Sequence, residues 1–93
     1  PEEVEVLWRV ACLRALCRLL HIRGISVKPG ELRITFAENV AIDPNALMQL
    51  ISEQQQYMNF KSGVQAQLIF RTVKLKTDSL TWLEKNLPRL AFD

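Results

Sequence analysis

Glycine, proline, cysteine and histidine are scarce in this 93-residue chain, at 3, 4, 2 and 1. Each shortage excludes a class of chemistry. Phosphate-binding loops need clustered glycine amides, whereas Gly24, Gly30 and Gly63 stand alone and none falls in a Walker pattern. Cys12 and Cys17 share a helical pattern in which their side chains point about 140° apart, which spoils disulfide geometry. Reduced thiols of a cytoplasmic protein are the expectation. Cys12 also turns away from His21, so only Cys17 and His21 remain where a structural zinc site takes about four ligands.

Cys17 and His21 lie one helical turn apart, but nucleophilic catalysis also needs an orienting group and an oxyanion site. The carboxylates are dispersed, so paired-acid chemistry has no support. No catalytic, cofactor-binding or metal-ligating residue is therefore assigned. Charge is nearly balanced, 12 Lys and Arg against 10 Asp and Glu for a net +2, too weak a field to imply a polyanionic partner. Arginine interrupts each apolar run well short of the roughly 20 residues of a membrane span. The chain opens on "PEEVEV" with neither Met nor a signal-type basic region, as expected of a piece of a longer soluble, cytoplasmic protein. At 48% hydrophobic and 24% charged, it suits one domain, 1–93, around one core.

What is present is periodic. Pro1, Glu2, Glu3 and Glu5 suit a first helical turn, and the spacing predicts a helix from about Glu2 to His21 that stops near Gly24. At about 100° per residue, Val4, Trp8, Ala11, Ala15 and Leu19 share one face, and Val6, Val10, Leu13, Cys17 and Leu20 another. One small sheet covers only one of these two apolar faces, so the other needs the last helix, a further segment or a partner. Ile25 and Val27, then Leu32, Ile34 and Phe36, alternate with polar residues about "KPGE", which suits a type II turn. Asp43 and Pro44 start a second helix to about Gln54, closed by "EQQQ".

Met58 and Phe60, a turn at Ser62 and Gly63, and Ala66, Leu68 and Phe70 make a second hairpin, with Ile69 out of phase and in need of cover from another element. Thr77 or Asp78 caps a last helix carrying Leu80, Leu83, Leu87 and Leu90, which Pro88 ends or kinks. Helix, hairpin, helix, hairpin, helix predicts an α+β domain whose antiparallel sheet packs against helices mainly on one face. Trp8 and Trp82 are both expected in the core.

The basic residues need placing. Arg14 and Arg18 share a strip of the first helix, Arg9 falls opposite and within reach of Glu5 at i,i+4, and Arg23 lies beyond the helix. A groove-reading helix presents a continuous basic face with polar base readers, and this one does not. The expectation is solvated seams or ion pairs, with Arg14, Arg18, Lys74 and Lys76 as the candidate partner contacts. Lys61 and Arg71 are grouped with the last two.

The runs "PEEVEVLWRVACLRALCRLLHIRGI", "LRITFAENVAIDPNALMQLI", "AQLIF" and "SLTWLEKNL" resemble the C-terminal domain of the bacterial transcription-repair coupling factors, the Mfd family. The resemblance spans nearly the whole chain. It implies a parent that is an ATP-driven DNA translocase, binding DNA, removing stalled RNA polymerase and recruiting UvrA, with the machinery for these tasks outside this domain. The domain itself is implied to be a non-catalytic regulator without a cofactor, docking on the N-terminal UvrB-like module of the same protein and masking the surface UvrA needs. Family members carry "DRFGPL" and more helical sequence before the position of Pro1, a segment that would cover one side of the first helix. The rival reading is an accessory module that binds nucleic acid through exposed Arg and Lys.

Overall fold

The computed structural model describes residues 2–92; the expected role of Pro1 lies outside them. Helix α1 (Glu2–Leu19) has Glu2, Glu3 and Glu5 in its first turn and Arg18 in its last, charges that favour the positive and negative ends of the helix dipole respectively. It stops at Leu19, short of the expected His21. There His21 adopts a left-handed conformation at φ 56°, and its Nδ1 donates to the Asn39 carbonyl at 2.6 Å. Histidine thus does at this helix end what glycine usually does. The chain leaves directly into strand β1 (Ile22–Lys28), so Arg23 and Gly24 belong to a strand, with a register irregularity between Ile22 and Gly24.

Gly30, at φ 79°, makes the expected turn after Pro29, and β2 (Glu31–Phe36) returns. Leu32, Ile34 and Phe36 are buried and their neighbours half-exposed, the alternation of a sheet with one core face. Helix α2 (Pro44–Gln54) starts where Asp43 accepts the Asn45 amide. The glutamine tract closes it, and a 3₁₀ turn, Gln55–Tyr57, leads into β3 (Met58–Lys61). Strand β4 (Gln67–Arg71) follows, with Ala66 buried just before it. Asp78, the N-cap, accepts the Thr81 amide at 2.7 Å and opens α3 (Ser79–Asn86). Pro88 then tightens the chain into the 3₁₀ turn Leu87–Leu90.

The sheet is antiparallel with order β1-β2-β4-β3, so the two hairpins join through β2 and β4. This is the expected α+β architecture. Its core packs Phe36, Ile34 and Leu68 of the sheet against Leu20, Leu50, Trp82, Leu87 and Leu90. The opposite face carries a polar ladder in which Arg33 donates to Gln67 and Gln67 donates to Thr35, each at 3.3 Å. Ile69 lies half-buried on that face, flanked by its register partners Arg33 and Asn59. Arg89 grips Glu53 with both Nη1 and Nη2, fastening the final turn to the end of α2.

Candidate functional site

Helix α1 is 18 residues long and contains no buried residue. Its inner side sets Leu13, Leu16 and Cys17 half-buried against the core, and Leu20, just past its end, is fully buried. On its outer side Val4, Leu7, Trp8 and Leu19 are between 60% and 70% exposed, and Ala11 and Ala15 are exposed among them. The two apolar faces are therefore real, and only one is covered among the described residues.

Trp8 does not reach the core. It projects from the side of α1 away from Leu13, Leu16 and Leu20, and α3 meets α1 only along a seam. That seam is polar: the Arg9 guanidinium donates through Nε to both Glu84 carboxylate oxygens at 3.1 and 3.0 Å, and through Nη2 to Thr81 Oγ1 at 3.2 Å. Arg9 thus bonds across to α3 rather than along its own helix to Glu5. These hydrogen bonds raise the Arg9 pKa and hold the Glu84 carboxyl below its ordinary range. No sequence signal foretells a pair 75 positions apart.

Arg14 and Arg18 stand where α1 faces β1, and Arg23 joins them from β1. The three line a groove of about 400 Å³ with Val10, Leu13 and Ile25. Among the described residues, the ion pairs belong to Arg9, Arg33 and Arg89 and leave this trio without a carboxylate partner. Helical spacing does not bring Arg23 to that strip; once His21 turns the chain, Arg23 sits beside α1.

Lys74 and Lys76 lie elsewhere, in a smaller cleft with Tyr57, Phe70 and Arg71. Arg71 rests over the Tyr57 ring at 5.6 Å and donates to the Gln56 carbonyl. Lys61 is not part of that group, since it pairs with Gln67 at the far end of β4 from Arg71. The structure therefore makes two separate basic sites.

Burial pushes the Cys17 thiol up, against a smaller opposing effect of Arg18, and the His21 Nδ1 proton is engaged by Asn39. A thiolate nucleophile needs the opposite environment. Among the described residues no three His, Cys, Asp or Glu gather as a metal site, and no helix is long and apolar enough to cross a membrane.

An α+β domain whose distinctive features are an uncovered apolar helix face and an arginine-rimmed groove offers contact surfaces. The family model described as TRCF domain matches residues 1–47, which take in α1, the first hairpin and the first turn of α2. The chain belongs to that family and is a component of a transcription-repair coupling factor. No curated protein matches the chain.

Proposed function

We propose that this domain, 1–93, is the C-terminal part of the coupling factor's C-terminal domain and acts as a non-catalytic regulator. It docks on the N-terminal UvrB-like module of the same protein and masks the surface that UvrA needs. The parent supplies the ATP-driven translocation on DNA and the removal of stalled RNA polymerase. The observation that carries this reading is the outer face of α1: Val4, Leu7, Trp8 and Leu19 present an apolar stripe to solvent, and a stripe of that kind marks a contact surface.

Tethering makes the mechanism economical. Two modules of one chain meet at an effective concentration of about millimolar when the linker spans them, so modest intrinsic affinity holds the clamp shut. Differential docking of a few kcal/mol is enough to switch it.

The test is to titrate this domain into the separately expressed UvrB-like module at two salt concentrations, then add UvrA as competitor. Binding that UvrA displaces is the expected result. No binding, both with the 93 residues and with the family's upstream "DRFGPL" segment restored, together with unchanged UvrA binding when the domain is deleted from the parent, removes the reading.

A further inference from the structure

We infer that the groove between α1 and β1 is a docking site for an extended acidic peptide segment bearing aliphatic side chains. Three observations converge there. The groove has an apolar floor of Val10, Leu13 and Ile25 under a rim of Arg14, Arg18 and Arg23. All three arginines are exposed and lack a carboxylate partner among the described residues. Strand β1 is an edge strand, paired only with β2, and next to its irregularity Gly24 leaves open space where a side chain would stand.

The chemistry of the occupant follows from that lining. Guanidinium groups match carboxylates in geometry as well as charge, through paired N–H donors. A strand edge offers unpaired backbone groups to an added extended chain, whose alternate side chains then face one side. An acidic segment with aliphatic residues at every second position satisfies the rim, the edge and the floor together. A nucleic-acid backbone would satisfy the rim and leave the floor unfilled, and a helix would leave the strand edge unpaired. The site is distinct from the outer face of α1 and does not rest on the clamp reading.

The test uses the 93-residue chain with two fluorescein-labelled peptides, one alternating isoleucine with glutamate and the other isoleucine with lysine. Fluorescence anisotropy gives affinity at low and high salt, and backbone amide shifts locate the contact. The acidic peptide should bind saturably and more weakly in salt, the basic peptide should bind at least about tenfold more weakly, and the shifts should centre on residues 22–25. The double variant R14E/R18E should weaken the acidic peptide about tenfold or more. G24F, which fills the open space without requiring a left-handed backbone, should weaken it too while circular dichroism stays unchanged.

Absence of saturable binding, equal binding of both peptides, indifference to R14E/R18E and to G24F, or shifts centred on Trp8 would each overturn the assignment. Displacement by duplex DNA through the same arginines would make it a phosphate site instead. Self-association that saturates the groove with the glutamates of a second copy would make it a contact between copies.

Discussion

Trp8 and Trp82 sit on two helices of one small chain, one 70% exposed and the other 6%. The longer helix buries less: α1 has no buried residue in 18, whereas the eight residues of α3 include buried Trp82, Leu83 and Asn86. Helix length and apolar content therefore do not decide what is core. Trp82 lies on the stripe that faces β4, where its ring packs on Phe70 at 4.7 Å, and α3 is held by caps and packing at both ends. Helix α1 is held by its inner side, by Leu20 and by the Arg9 seam to α3, and Val4, Leu7, Trp8 and Leu19 on its outer face stay exposed among the described residues.

The sharpest way to break the contrast is to truncate the buried tryptophan. Trp82→Ala removes a packed aromatic and opens a cavity, and the expected loss is about 3–5 kcal/mol, read from urea unfolding followed by circular dichroism. A loss near 1 kcal/mol, the ordinary cost of a point mutation, would mean that α3 is not a principal wall of the core.

A smaller effect of opposite sign is expected at the end of α2. Gln55 has φ 52° and ψ −126°, a backbone conformation that glycine reaches without strain and a side-chain-bearing residue does not. Gln55→Gly should stabilise the domain by about 1 kcal/mol, with relief of strain outweighing the added freedom of the unfolded chain. Unchanged or reduced stability in the same urea experiment would show that the 3₁₀ turn depends on the glutamine itself.

Acid should act on the seams rather than on the core. Hydrogen bonds from Arg9 hold Glu84 below the ordinary carboxylate range, those from Arg89 do the same for Glu53, and the Thr81 amide does so for Asp78. For a depressed carboxyl the contribution to stability is complete above its unfolded value, about 4, and is lost as pH falls through its folded value. Melting temperature should therefore fall below about pH 4, and less steeply in Glu84→Gln, which does not titrate. An identical acid slope in that variant would remove the Arg9–Glu84 seam from the account. The same seam joins the two helices: Arg9 ties α1 to α3 through Glu84 and Thr81.

Much of this fold is legible in the residues because its signals are local. Asp43-Pro44, Pro29-Gly30 and the alternation of Leu32, Ile34 and Phe36 each act within a few positions. The end of α1 is not legible in this way: Gly24 has the look of a helix stop, whereas His21 takes the left-handed position with help from Asn39, which lies 18 positions on. The site was harder still. Helical spacing put Arg14 and Arg18 on one strip, but Arg23 joins them only after the chain has turned at His21, and no periodicity carries that information. The exposure of Trp8 is hidden for a related reason: a two-faced helix announces both faces, and only the tertiary arrangement says which one is covered.

The smallest expected change in stability is therefore also the most informative. Trp8→Ser removes a large side chain from solvent rather than from a packed interior, so unfolding of the isolated domain should shift by no more than about 0.5 kcal/mol. The intrinsic fluorescence of the folded domain should move to shorter wavelength, because the remaining emitter, Trp82, is the buried one. If the outer face of α1 is the docking surface, the same variant should lose affinity for the UvrB-like module by about tenfold or more, since exposed tryptophans at interface centres are common anchors. Stability and binding would then separate at a single residue. A variant that unfolds more easily by several kcal/mol would instead place Trp8 inside the fold, and one that binds as tightly as before would move the docking surface away from this face of the helix.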